Sequence, residues 1–211
     1  MKNATVLENI PFNIDHERVM REMKIPHARE LSDIEEKPLA DSIKKAIDTA
    51  YGLIEGKGVY KTFRLTGAKG NVVTGDETGD IFSGDNIVKL LDGSDFATLM
   101  ATTIGHKLED KVEELQAAGE ITEAFALEMV GGWMADYMAD RVDENIEREI
   151  KRKGYSRTMR YSPGYGDWPL EKQPGILRLC EGEKIGIKLT ETNIMVPRKS
   201  VSAVIGWKRA G

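Results

Sequence analysis

Residues 160–173 read RYSPGYGDWPLEKQ, and this stretch divides two kinds of sequence. Its Pro163-Gly164, Gly166-Asp167 and Trp168-Pro169 steps are turn chemistry, which neither a helix nor a central strand accommodates. Working backward, the chain is helical. Phe125, Met129, Trp133, Met138 and Val142 space apolar residues at helical intervals in a segment that follows Gly119 and extends toward Arg152. A shorter helix is expected over His106 to Ala117. Working forward, Leu170 to Cys180 can form a helix interrupted by Pro174 and Gly175. Ile185 to Leu189, Asn193 to Val196 and Ser200 to Trp207 then read as strands, with Pro197-Arg198-Lys199 as a hairpin tip between the last two.

The first hundred residues mix both types. Asp15 caps a short helix from His16 to Lys24, which Pro26 ends. A longer helix runs from about Lys37 to Ile54: Pro38 suits its first turn, and Leu39, Ile43, Ile47, Ala50 and Ile54 recur at three- and four-residue spacing. Gly56 and Gly58 break it. Val59 to Leu65 alternates and is rich in β-formers, so it reads as a strand. Val72-Val73 and Ile81-Phe82 are short extended pieces, and Ser83 or Asp85 starts a helix through Leu91. Phe96 to Ile104 is a continuous apolar and Thr-rich run, the pattern of a strand buried on both faces. Strands and helices mix without strict strand–helix–strand repetition, so the expected class is α+β and not doubly wound α/β. No repeat or low-complexity linker divides the chain. One domain over 1–211 is expected, with a helical N-terminal part, 1–58, and a core, 59–211.

Composition excludes several functions. With 30 basic and 35 acidic residues the net charge is −5, which speaks against non-specific nucleic-acid binding. No apolar run approaches the ~20 residues that span a bilayer. Met1 to Pro11 does not read as a secretory signal, so the expected compartment is the cytoplasm. The single cysteine, Cys180, excludes an intramolecular disulfide framework and reads as a small buried hydrophobe. Gly56-Lys57-Gly58 lacks the third glycine of a dinucleotide loop and is followed by a strand. His16, His27 and His106 lack ligand spacing, so no metal site is expected. Gly131-Gly132, inside the long helix, marks either a kink or the close approach of another backbone or a ligand.

The positive chemistry is in the opening stretch. A guanidinium at Arg160, beside an open turn, can grip a carboxylate through two hydrogen bonds. Gly164 and Gly166 allow close approach of a flat ligand. Tyr165 and Trp168 offer aromatic faces, and Asp167 an anion for a cationic ligand group. The same residues also suit a rigid surface turn with two half-buried aromatics.

The stretch resembles the R-x-x-x-G-Y-x-x-x-P core of the activation domain of vitamin B12-dependent methionine synthase. It is most similar to the short, stand-alone members, which carry an SPGYGDWPLxxQ run. A second match follows in register: Gly186 to Thr192 resembles G-x-x-L-T-E-S, and Val196 to Ala203 reads VPRKSVSA, as in the short forms. Thr102 to Gly105 and the long helix also fit, and the resemblance extends from about Val59.

The resemblance implies a curved, mostly antiparallel sheet flanked by helices, which binds S-adenosylmethionine and docks over a cobalamin-carrying domain. There a reductant, flavodoxin-like in class, supplies an electron to oxidised cobalamin, and S-adenosylmethionine remethylates the cobalt. Arg160 would hold the ligand carboxylate, Gly164 and Tyr165 would shape the turn around it, and Ser162 would offer backbone contacts to the adenine side. Asp136, on the preceding helix, would meet the amino group. No catalytic acid or base is implied. No corrinoid-binding D-x-H-x-x-G signature occurs, so the cobalamin would come from a partner, a cobalamin-dependent methionine synthase or another corrinoid protein. The departures are three. Gly166-Asp167-Trp168-Pro169 replaces the Ala-Cys-Pro of the long enzymes, their C-terminal tyrosine pair has no counterpart before Gly211, and neither has their early acidic ligand contact. Two functions are therefore expected: a reactivation subunit of cobalamin-dependent methionine synthase acting in trans, or an interaction module that caps or chaperones a corrinoid methyltransferase without binding S-adenosylmethionine.

Overall fold

Strand β5 (Ser94–Thr103) is the middle of the sheet, and from Ala97 onward it is buried on both faces, as its apolar run requires. This computed structural model describes residues 3–25 and 27–209, so the expected helix stop at Pro26 lies outside the described residues. On one side β5 pairs with β2 (Lys57–Lys69), and on the other with β9 (Ser200–Arg209). The sheet continues outward from β2 through β3 (Val72–Gly75) to β4 (Phe82–Ser83), and from β9 to β6 (Tyr155–Arg157). The short β1 (Thr5–Leu7) joins β2 on the edge that β3 also uses. Every one of these pairings is antiparallel.

Helices cover both faces. On one lie α1 (His16–Glu22), α2 (Lys37–Leu53), α4 (Lys107–Ala117) and α5 (Ile121–Arg152), burying Ile43, Ile47, Met100, Leu127, Met134 and Val142 against the sheet. The other face carries α3 (Asp85–Leu91) and α6 (Gln173–Cys180), packed on Val59, Phe63, Leu99 and Val204. The architecture is thus α+β, an antiparallel sheet flanked by helices, as expected. No helix among the described residues is long and apolar enough to cross a membrane.

Several local expectations change. Gly58 does not break anything; it lies inside β2, where Val142 of α5 leaves no room for a side chain. The boundary drawn at 58/59 therefore falls within a strand. The Gly131-Gly132 pair is a close approach: a Cβ at Gly131 would stand 2.6 Å from Leu108 of α4 and 3.4 Å from Lys199 Cε. Leu170 to Cys180 splits into a 3-10 turn (Leu170–Lys172) and α6, with Pro174 in the first turn of α6, where its missing N–H costs nothing. Ile185 to Leu189 is mostly not a strand. Glu181 and Gly186 adopt positive φ (64° and 84°) and curl Gly182–Ile185 into a 3-10 turn, leaving only β7 (Lys188–Leu189) extended. β7 pairs with β8 (Met195–Val196) in a separate two-stranded hairpin, so Pro197-Arg198-Lys199 is a crossing into the main sheet and not a hairpin tip. Strand β6 carried no signal in the sequence. Cys180 is buried among apolar side chains, and burial pushes its thiol up to about 12.

Candidate functional site

The chain from β6 to Arg160 runs along the outer edge of β9. Thr158 N–H donates to Gly206 O at 2.9 Å, and Tyr161 and Val204 exchange main-chain hydrogen bonds of 3.1 and 2.8 Å. Pro163 and Gly164 then turn the chain away, so the edge of β9 at Ser200 to Ser202 has no strand beside it among the described residues. A cavity of about 580 Å³ opens there, within the usual range for a small-molecule site. Asp136 of α5 lines one wall. Arg160, Ser162 and Tyr165 of the turn line another, and Ile194 and Met195 of the β7–β8 hairpin a third.

The turn is built mostly for the fold. Gly164 (φ 88°) closes it by donating its N–H to Trp168 O at 2.8 Å. Gly166 (φ 56°) has no space for a Cβ, which would stand 2.5 Å from Asn86 Nδ2 and 2.6 Å from Tyr161 Oη. Trp168 is not free to stack on a ligand. It is 1% exposed, lies parallel to Tyr161 at 6.0 Å, and donates its Nε1–H to Ile81 O at 2.7 Å. Nor is Asp167 free for a cationic group. Its carboxylate accepts the N–H groups of Asp85 (2.5 Å) and Asn86 (3.1 Å), capping α3 from some 80 residues away. Of Tyr165 and Trp168, only Tyr165 remains open, 66% exposed at the cavity mouth.

The charges facing the cavity come from two elements. Arg160, with 21% of its side chain exposed, donates from Nη1 to Asp140 Oδ1 at 2.9 Å. Asp140 stands one helical turn after Asp136, so Arg160 lies over the acidic face of α5. Asp136 is open to solvent through the cavity, yet enough protein surrounds it that burial raises its carboxyl above the usual range. The nearby Arg160 guanidinium opposes that shift. Four of the five expected site residues, Asp136, Arg160, Ser162 and Tyr165, thus meet at one cavity. Gly164 does not line it but shapes the turn that does.

Sequence reasoning missed the rest of the lining. Gln173, 4% exposed, accepts from Ser202 Oγ at 3.0 Å and donates to Asn193 O at 2.6 Å, tying β9 to the hairpin tip. Arg198 lines the cavity beside Lys199, whose N–H donates to Glu109 (2.7 Å) and whose ammonium meets Glu128 (2.5 Å) in the space that Gly131 and Gly132 leave. Both Gln173 and Arg198 stood inside quoted motifs, the terminal Gln of the turn and the VPRKSVSA run. The lining has no histidine, cysteine or lysine. It offers opposite charges, an open aromatic, apolar side chains and main-chain groups, which suits the holding of a zwitterion with a flat substituent.

A solved structure is similar, the MetH reactivation domain bound to AdoHcy. The match has a TM-score of 0.70 at 17% sequence identity, covering 99% of this chain and 79% of that chain. At that identity the likeness speaks for the fold. The family model for the vitamin B12 dependent methionine synthase activation domain matches residues 77–210. That match spans more than half of the sequence, including the turn, the cavity lining and β9, and the chain belongs to the vitamin B12 dependent methionine synthase activation domain family.

Proposed function

We propose that the cavity binds S-adenosylmethionine and that the chain, acting as one unit over 1–211, serves the reductive remethylation of cobalamin carried by a methionine synthase partner. The observation that carries this reading is the meeting of Arg160, Asp136, Ser162 and Tyr165 at one cavity in a member of this family. The AdoHcy in the similar solved structure supports it, because AdoHcy is what remains of S-adenosylmethionine once its methyl has left. Arg160 would exchange Asp140 for the ligand carboxylate, and Asp136 would receive the ammonium. The Ser200–Ser202 edge and Ser162 would supply main-chain partners for the nucleoside. Cobalamin, when the partner presents it, supplies the cobalt that accepts the methyl after a one-electron reduction. This chain's part is positioning, which in well-oriented reactions is worth about 7–11 kcal/mol of barrier. Exposed Met159, Tyr165, Ile194 and Val196 support docking of a partner around the mouth. Action in trans, a flavodoxin-like reductant and a cytoplasmic setting belong to the same proposal.

A second reading, a cap or chaperone for a corrinoid protein that binds no S-adenosylmethionine, is favoured by one contact: Arg160 already has an anion in Asp140. Arg160→Ala separates the two. The first reading expects S-adenosylmethionine binding about 10- to 150-fold weaker, the loss of one charge-assisted contact of about 1.5–3 kcal/mol, with partner binding retained. Unchanged ligand binding would remove the Arg160 clamp. No ligand binding by the unsubstituted chain, with the partner still bound, would favour the second reading.

A further inference from the structure

A clamp for a zwitterion carries a hazard of its own. Its cation and its anion must stand close enough to hold one small ligand, and at that separation they attract each other. A guanidinium that pairs directly with the carboxylate leaves the ligand an ion pair to break. Arg160 and Asp136 line the same cavity, and the guanidinium is near enough to Asp136 to act on its carboxyl. Yet the two do not pair. Arg160 donates from Nη1 to Asp140 Oδ1 at 2.9 Å, one turn farther along α5.

Other acids of α5 do hold cations from the chain opposite. Glu128 meets the Lys199 ammonium at 2.5 Å, and Asp143 meets Arg157 at 2.7 Å. Among the described residues no ion pair reaches Asp136. The charged groups around it are Arg160 from the turn, Asp140 from its own helix, and Arg18 and Glu22 from α1, while Arg198 lines the cavity from the crossing before β9. Each of these three cations is engaged elsewhere. Arg18 lies 5.8 Å from the centroid of the Trp133 ring, Arg198 leans toward Glu109 at 3.6 Å, and Arg160 is on Asp140.

Which acid takes Arg160 matters energetically. Asp140 has 51% of its side chain exposed, so water resolvates it when the guanidinium leaves, and an ion pair at such a site is weak. Asp136 has enough protein around it for burial to raise its carboxyl. A guanidinium seated there would be held in a less polar place, and it would leave less readily. It would also occupy both ends of the clamp at once.

We propose that Asp140 is a positioning residue of the site: it holds the Arg160 guanidinium clear of Asp136, so that both ends of the clamp stay open until a ligand takes them. The inference rests on the reading of the cavity as a site for S-adenosylmethionine. Asp140 touches no ligand in this account. It acts through Arg160, by offering a partner weak enough to surrender the guanidinium to the ligand carboxylate.

The test joins a ligand-free titration to a binding measurement. The Asp136 carboxyl carbon is followed by NMR through the acid range in the full chain, in Asp140→Ala, in Arg160→Ala and in the double variant. In Asp140→Ala the freed guanidinium is expected to settle on Asp136, which then titrates at lower pH than in the unsubstituted chain. Loss of the Asp140 charge acts in the same direction, and the double variant separates the two. In the Arg160→Ala background the effect of Asp140→Ala is expected to shrink to a small remainder. Calorimetry of Asp140→Ala with S-adenosylmethionine, alone and with the corrinoid-loaded partner, is expected to show severalfold weaker binding. Asp140→Glu is expected to restore both the titration and the affinity. The proposal is overturned if Asp140→Ala leaves the Asp136 titration where it was, or moves it equally in the Arg160→Ala background. It is also overturned if Asp140→Ala binds S-adenosylmethionine as well as the unsubstituted chain or more tightly, the latter meaning that Asp140 only competes for Arg160. Absence of binding by the unsubstituted chain in either condition would overturn the reading of the cavity and not the placement of Arg160, which the ligand-free titration decides.

Discussion

The turn wall and the α5 wall of the motif cavity are built in opposite ways. The turn at 160–169 commits most of its side chains to the fold: Asp167 caps α3, Gly166 fits beneath Asn86 and Tyr161, and Trp168 is sealed against Ile81. The α5 wall commits little. Asp136 and Asp140 face solvent, and their contact with the turn is the exchangeable Arg160 guanidinium. A dense motif is thus not a dense set of ligand contacts. Much of RYSPGYGDWPLEKQ fixes where Arg160, Ser162 and Tyr165 stand, and the opposite wall, which reads as an ordinary helix, supplies the complementary charge.

The largest expected effect sharpens that contrast within the turn itself. Trp168→Ala should cost about 3–5 kcal/mol in denaturant unfolding, the range for truncating a buried large aromatic. Tyr165→Ala, three residues away, should change stability by no more than about 0.5 kcal/mol and should weaken ligand binding instead. Equal stability losses would break the distinction between a structural and a ligand-facing aromatic. Next in size is Asp167→Ala, which removes the cap of α3. It should cost about 1 kcal/mol and leave the ligand affinity of the folded protein within about twofold. A large affinity loss there would return Asp167 to the ligand site.

The smallest effect concerns Asp136 and pH. Burial raises its carboxyl above the usual range, so the fold favours the protonated form. Its contribution to stability is fully present below the ordinary aspartate range and is lost as pH rises through the raised value. Binding of an ammonium group needs the ionised form and runs the other way, weakening as pH falls through that same value. Asp136→Asn should therefore leave Tm at neutral pH unchanged or raise it by up to about 2 °C, while weakening ligand binding and flattening the acid side of its pH profile. A fall in Tm at neutral pH would contradict this assignment of strain to the carboxylate.

What was legible in the sequence is what local pattern determines. β5 and β9 declare themselves because strands buried on both faces need unbroken apolar runs. α2 and α5 do so through apolar spacing, and Arg160 through residue type beside a turn, whereas Asp136 was reached only through the family resemblance. What was not legible depends on distant partners. The pairing of β9 with β5 spans about a hundred residues, so the segment before β9 looked like the tip of a local hairpin. Ile185 and Ile187 alternate as a strand would, but they are buried from a 3-10 turn closed by the positive φ of Gly186. Asp167 looked like a ligand group because the helix end it satisfies lies some 80 residues earlier. Arg198 and Gln173 carried no chemical signal of their own, since only the crossing of the hairpin over β9 brings them to the cavity.

The central claim is that a ligand site for S-adenosylmethionine stands at the motif cavity. Its most direct test is a calorimetric titration of the purified chain with S-adenosylmethionine at neutral pH, alone and with a corrinoid-loaded methionine synthase lacking its own activation domain. Saturable binding, to the chain alone or only with the partner present, is the predicted result, the latter meaning that the partner completes the site. Absence of binding in both conditions, with the partner still captured, would contradict the account and leave a docking module in its place.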